Sequence, residues 1–317
     1  MNIGLSILLI LTIFNDKREY GRILGSAIPL IFIGIFIFFT NQKAGLFSFD
    51  RDMAKYALLI GFPLIWHYLS QQVQNQFDRI AITRIAGPSF TGIYSFTYNI
   101  ANILNVIFNS AENVWTVWFF DQMSQKNYKQ IREISKKFML FIAMIAIIMM
   151  VGSKEIIMIM GEKSYWEGQY LFIPLLLSVF LLFLYSLPVG IEYYYKKTKY
   201  IPLMTCIAAI INVTLNFALI PYYGYFAAAY ATLLSHAVQF LGHWFLSKKI
   251  LHNNGISKVF EFIDFIKLFI LVCICGIIVS ILNPYPVIKY SIFTVFFSFE
   301  AYKYRNELEN IINMFIS

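Results

Sequence analysis

The stretch from Phe90 to Trp118, FTGIYSFTYNIANILNVIFNSAENVWTVW, decides the fold. It has a single charged residue, Glu112, and no Pro. As a helix rising ~1.5 Å per residue it is long enough to cross a hydrocarbon layer about 30 Å thick. Projected at about 100° per residue, Thr91, Tyr94, Ser95, Tyr98, Asn102, Asn105, Asn109, Glu112 and Asn113 fall within an arc of about 100°. Ile93, Phe96, Ile100, Ile103, Leu104 and Ile107 take the other side. An ionised side chain at mid-bilayer costs roughly 2.5–3.5 kcal/mol, so this seam should face a cavity or a partner helix rather than acyl chains. A lone Asn would be read as an interhelical hydrogen bond worth about 0.6 kcal/mol. A run of amides plus an acid on one face reads instead as the polar wall of a translocation path. Glu112 has two readings, a cavity acid or, with Trp115 and Trp118 a turn away, an interfacial anchor.

The rest of the chain shares this character. Of 317 residues, 59% are apolar and 13% charged, against roughly 45–50% and 25% in soluble domains. Apolar runs near 22–40, 54–75, 90–118, 137–153, 168–189, 200–220, 225–246, 264–282 and 286–300 give nine expected spans, an all-α polytopic bundle. Residues 2–14 are apolar but too short to span, and Met1 is followed by no basic n-region, so the chain is expected to begin partway through a span. The net charge of +8 lies in short clusters between apolar blocks, which excludes a nucleic-acid surface. One alternating set of connectors holds 17 Lys and Arg against 8 in the other. The positive-inside rule then places the C-terminus on the cytoplasmic side, with Lys17, Arg18 and Arg22 dissenting. Cys206, Cys273 and Cys275 sit within apolar runs, which suggests neither a disulfide framework nor a metal site.

Weaker seams occur elsewhere. His67, Gln71, Gln74 and Asp78 share a face, as do Thr232, Ser235, His236, Gln239 and His243, and Thr205, Asn212 and Asn216 align. His67 and His236 are candidate cavity groups, although an intramembrane His is more often a hydrogen-bonded packing residue. Pro221-Tyr222-Tyr223-Gly224 followed by Ala227-Ala228-Ala229 reads as a tight helical hairpin. Gly21, Gly25, Ser26 and Ala27 offer an echo of it, Gly21 aligning with Gly224, as in the internal repeats of transporters.

Several of these residues, in order, resemble bacterial polysaccharide transporters, the oligosaccharide flippases related to multidrug and toxin extrusion exporters. The segment Pro63-Leu64-Ile65 with Ser70, then Asp78-Arg79-Ile80 and Gly92-Ile93-Tyr94-Ser95, is similar to the start of that family's second lobe. The run Tyr193-Tyr194-Tyr195-Lys196-Lys197-Thr198-Lys199, followed by Asn212, Asn216, Pro221, Gly224, Ala227-Ala228-Ala229, Thr232 and Ser235, resembles its later hairpin. The resemblance covers about residues 20–250. It implies a two-lobed fold of 12 or 14 helices that rocks around a central cavity, carrying an undecaprenyl-diphosphate-linked oligosaccharide between leaflets, with no cofactor. Residues 1–50 would then be the remnant of a first lobe, 51–250 the six-helix core of the second, and 251–317 two further spans and a cytoplasmic tail. The first four helices of the family, with their basic residues for the diphosphate, have no counterpart, and nothing basic lies on the 90–118 seam. The carrier is therefore expected to need a missing N-terminal half or a separate chain. Two rivals remain: a cation-coupled multidrug exporter with Glu112 or Asp78 as its ion site, and a membrane glycosyltransferase or polymerase, disfavoured by the short connectors.

Overall fold

A computed structural model describes residues 2–14, 17–43 and 50–303. Among them there is no strand, and twelve α-helices follow in order: α1 (Asn2–Thr12), α2 (Arg18–Lys43), α3 (Arg51–Ile85), α4 (Pro88–Ala101), α5 (Ile103–Ser124), α6 (Tyr128–Val151), α7 (Ser153–Met160), α8 (Gln169–Tyr194), α9 (Tyr200–Tyr223), α10 (Phe226–Asn253), α11 (Phe262–Leu282) and α12 (Pro286–Lys303). By length and composition, five segments suffice to cross a membrane: Tyr20–Thr40, Tyr128–Val151, Lys163–Tyr194, Tyr200–Tyr223 and Phe262–Leu282. Helices α3 and α10 are also long enough, but the polar residues of their seams lower their mean hydropathy. The fold is an all-α, multi-pass helical bundle. Residues 44–49 of the connector 41–55 and residues 304–317 of the tail lie outside the described residues.

The chain divides into two compact units, Met1–Leu58 and Leu59–Ser317. In the first, α1 and α2 pack as a hairpin whose backbones meet at Gly21 and Gly25. A Cβ on Gly21 would stand 2.7 Å from Ile10 Cγ1, and one on Gly25 would run into the backbone of Ser6.

In the second unit, α8 is the central helix. It is apolar on every side from Leu171 to Leu187, the pattern of a helix surrounded by others, and most of it is buried. Helix α10 packs along it, with α4, α5, α6 and α11 around the rest. Helices α9 and α10 form the expected hairpin: Gly224 stops α9 with φ at 67°, a backbone state that suits a residue lacking Cβ. The proposed echo does not hold, because Gly21 lies inside α2 and serves close packing, whereas Gly224 makes a turn. Two charged contacts tie the outer helices: Lys136 Nζ to Asp264 Oδ2 at 3.0 Å, from α6 to α11, and Lys289 Nζ to Glu155 Oε2 at 3.1 Å, from α12 to α7.

Three boundaries read from the sequence need correction. The span at 54–75 is the middle of a 35-residue helix that continues to Ile85, so the expected connector 76–89 shrinks to Ala86 and Gly87 before Pro88 opens α4. The 90–118 helix is two helices, broken at Asn102. There Asn105 N–H reverts to an i−3 bond with the Asn102 carbonyl at 3.0 Å, while Asn105 Nδ2 donates to Asn102 Oδ1 at 3.1 Å. Asn side chains that bond locally compete with the regular helix in this way. The connector 152–167 contains α7 and most of a 3₁₀ turn, Lys163–Gly168. Trp115, expected in an interfacial belt, is buried and stacks on Phe119 and Phe138 at 5.9 and 5.2 Å.

Candidate functional site

A cavity of about 550 Å³ opens in the second unit between α3, α4, α5 and α8, with His236 of α10 at its edge. Its α5 wall is the amide seam. Asn109 Nδ2 donates to Asn105 Oδ1 at 3.2 Å, and Asn105 Nδ2 donates to Asn102 Oδ1 at 3.1 Å, so the three form a ladder along the helix. Each amide has two N–H donors and two acceptor lone pairs, so the ladder leaves capacity on every rung for a guest. Tyr98 lines the space above the ladder and Glu112 below it.

Helix α3 supplies the facing wall with His67, Gln71, Gln74, Asn75, Gln76 and Arg79. Arg79 was placed in a connector by the sequence reading and is the basic wall residue that reading lacked. Its guanidinium lies 5.1 Å from the centre of the Tyr98 ring. Its Nε donates to Ser95 Oγ at 3.0 Å, and its Nη1 to the Asn75 carbonyl and to Gln76 Oε1 at 2.8 and 2.9 Å. None of these partners is a carboxylate, so its charge is positioned but not neutralised. The cue was Asn75 and Arg79 at i, i+4, continuing the α3 seam. Helix α8 completes the enclosure with Tyr185, Ser186 and Tyr193, which the sequence reading did not assign to a polar seam.

Of the residues singled out for the cavity, Tyr98, Asn102, Asn105, Asn109, Glu112, His67, Gln71, Gln74 and His236 border it. Four do not. Asn113 is exposed on the surface of α5, and Asn212, Asn216 and Gln239 are buried away from the cavity. Asn212 and Asn216 belong to a second polar cluster, built on the motif residue Asp78. Tyr94 Oη donates to Asp78 Oδ2 at 2.5 Å, Thr232 Oγ1 lies 2.6 Å from the same oxygen, and Asn216 Nδ2 donates to Asp78 Oδ1 at 2.6 Å. Asn212 Nδ2 donates to Thr232 Oγ1 at 3.3 Å. Asn216 Oδ1 is buried with no partner. Of the other motif residues, Gly92 sits on α4 facing Tyr165, and Pro221 falls in the last turn of α9.

The remaining α3 polar residues also dock that helix. Thr205 gives its hydroxyl proton to the Ile201 carbonyl at 3.0 Å, so it accepts from His67 Nδ1 at 2.7 Å. Gln71 Nε2 donates to Tyr185 Oη at 3.0 Å and Gln74 Nε2 to Ser235 Oγ at 3.1 Å. His236 Nδ1 donates to the Ser178 carbonyl at 2.9 Å. Both histidines are thus hydrogen-bonded packing residues at the cavity edge. No group of three or more His, Cys, Asp or Glu side chains placed to hold a metal occurs among the described residues.

A multi-pass helical bundle with an amide-lined cavity and no folded extramembrane domain among its described residues has the build of a membrane transporter. Residues 7–116 match the family described as polysaccharide biosynthesis protein. The chain is also similar to an Lsg locus protein of Haemophilus influenzae, 26% identical over 224 residues, which is 66% of this chain and 56% of that relative. It therefore spans little more than half the length of the relative it matches. Together these matches support a polysaccharide-biosynthesis family of transporter type, in agreement with the motifs. No solved structure matches.

Proposed function

We propose that this chain contributes the sugar-sheltering wall of a carrier that moves a polyprenyl-diphosphate-linked oligosaccharide across a bacterial inner membrane. The observation that carries the reading is the cavity of about 550 Å³ with an asparagine ladder on one side and Arg79 on the other. This volume lies within the usual range of ligand sites, roughly 300–1,000 Å³. Sugar hydroxyls donate and accept at once, as do the free faces of Asn102, Asn105 and Asn109. The tyrosines at 98, 185 and 193 give flat surfaces against which a pyranose ring can lie. Arg79, charged and uncompensated, suits a diphosphate oxygen, and its planar fork favours two-point contact. The polyprenyl tail stays in lipid while the head crosses.

The test is the triple substitution of Asn102, Asn105 and Asn109 to Leu in the native host, with surface polysaccharide and membrane abundance measured together. Lost export at unchanged abundance supports the reading. Loss of both in proportion assigns the ladder to packing.

One observation favours cation coupling of such a carrier. Asp78 is a buried carboxylate with no basic partner, and the unpartnered Asn216 Oδ1 lies beside it, so a monovalent cation would find oxygen ligands there. The multidrug rival instead takes Glu112 or Asp78 as the ion site that drives drug efflux. Drug accumulation in Glu112→Gln separates the two, since only the rival expects lost efflux.

A further inference from the structure

Three fully buried side chains outside the cavity wall leave polar atoms unmatched at one place between α8 and α10. Glu192 Oε1 meets His243 Nδ1 at 2.8 Å, and neither side chain has any exposure. Glu192 Oε2 and His243 Nε2 nevertheless have no partner. One turn earlier on the same face of α10, neither the oxygen nor the nitrogen of the buried Gln239 amide has one. Leaving such atoms unsatisfied is costly, and a buried water is held by two to four polar partners, which these side chains supply. A carboxylate beside a neutral imidazole would also carry an uncompensated charge inside the bundle. One proton on the pair, on either the ring or the carboxyl, makes it neutral.

We infer that Glu192, His243 and Gln239 form a hydrated proton-binding site, set one aromatic ring behind the cavity. The pair takes up one proton as a unit and returns it to water at the Gln239 face, so the site titrates as a pair and not as two residues. Tyr185 connects it to the cavity: its ring centre lies 5.4 Å from that of His243, and its hydroxyl accepts from Gln71. The titratable groups nearby are His67 and Tyr68 from α3, Tyr185 and Tyr193 from α8, and Glu112 from α5 next to the two tyrosines. Helix α9, packed along α10, contains no Asp, Glu, His, Lys or Arg.

The test uses the full chain in lipid nanodiscs with nitrogen-15-labelled histidine, which reports four rings. The expected result is a pH-dependent transition of the His243 ring signal, accompanied by uptake of one proton and by cross-peaks between His243 and water. Glu192→Gln should abolish that transition, with the His236 signal unchanged as proof of fold. Gln239→Leu leaves the Glu192 contact intact, does not require Glu192→Gln to fold, and should shift the proton affinity about tenfold, one pH unit. A His243 signal that shows no transition and no water contact, or a transition untouched by either substitution, overturns the site.

Discussion

Asn216 donates its side-chain N–H to Asp78 across 138 positions of sequence, at 2.6 Å and with both residues buried. That bond joins α9 to α3, and through the same carboxylate Tyr94 and Thr232 bring in α4 and α10. Four helices converge on two oxygen atoms. Asp78→Leu would leave the Tyr94 hydroxyl without its close acceptor, at about 1–3 kcal/mol for an orphaned group, and would take one acceptor from Asn216 Nδ2 and Thr232 Oγ1, which keep the Asn212 and Ala228 carbonyls at 3.0 Å. A fall in thermal midpoint and in membrane abundance is expected, larger than for Asp78→Asn, which keeps an acceptor. Equal midpoints for the two variants would show that the acceptor oxygen at position 78 and its bonds contribute nothing.

Arg79→Ala should lower export while leaving abundance near wild type, because the neighbours it loses are partly exposed and can turn to water. Charge-assisted hydrogen bonds contribute about 1.5–3 kcal/mol, so a tenfold or greater loss of substrate affinity is expected if the guanidinium meets a diphosphate. Arg79→Lys should recover only part of it, since an ammonium lacks the fork. Full export in Arg79→Ala would remove this residue from the substrate path.

The glycines distinguish backbone contacts from side-chain contacts. At Gly25 an added Cβ meets the main chain of Ser6, which cannot yield without parting α1 from α2. At Gly242 it meets Met204 Sδ at 2.5 Å, the far end of a flexible side chain. Gly25→Ala should therefore destabilise by about 1–3 kcal/mol and Gly242→Ala by clearly less. Thermal unfolding of the two variants beside the wild type reads both.

The Glu155–Lys289 contact carries a pH dependence. Burial pulls the Glu155 carboxyl upward, but its own backbone N–H, Lys289 and Tyr290 outweigh that and hold it below its ordinary value of 4.5. A depressed acid stabilises the fold above its unfolded-state value, and that contribution fades as pH falls through the lower folded one. Docking of α12 on α7 should therefore loosen below about pH 4.5. Proteolysis at residues 283–285 as a function of pH checks it. Glu155→Gln should make cleavage independent of pH in that window.

The fold class and the cavity wall were legible because each rests on a local periodicity. Asn102, Asn105, Asn109 and Glu112 are spaced by three or four, and the same spacing puts them on one face of α5. Asn113 follows Glu112 directly and turns away from the cavity. The reach of α3 was missed for a related reason. Gln71 to Arg79 is too polar to resemble a span, yet those side chains are met by α8, α9, α10 and α4, so the helix continues past Asp78. Nothing in the sequence could reveal that Asn212 and Asn216 bond Asp78 and each other rather than the cavity, because the partners come from helices remote along the chain. Arg79 needed both corrections, a longer helix and a neighbouring Tyr98, before it could be placed on the wall.

The kink at Asn102 gains meaning from the clamp around Asp78. Tyr94 is fastened to that clamp from the α4 side, so α4 must travel with α3, α9 and α10 as one block. The asparagine ladder hangs on α5, beyond the joint, and is free of the clamp. Any swing that opens or shuts the chamber would pivot there, and spin labels on α4 and α5 should show their mutual angle changing while the α4-to-α10 separation stays constant.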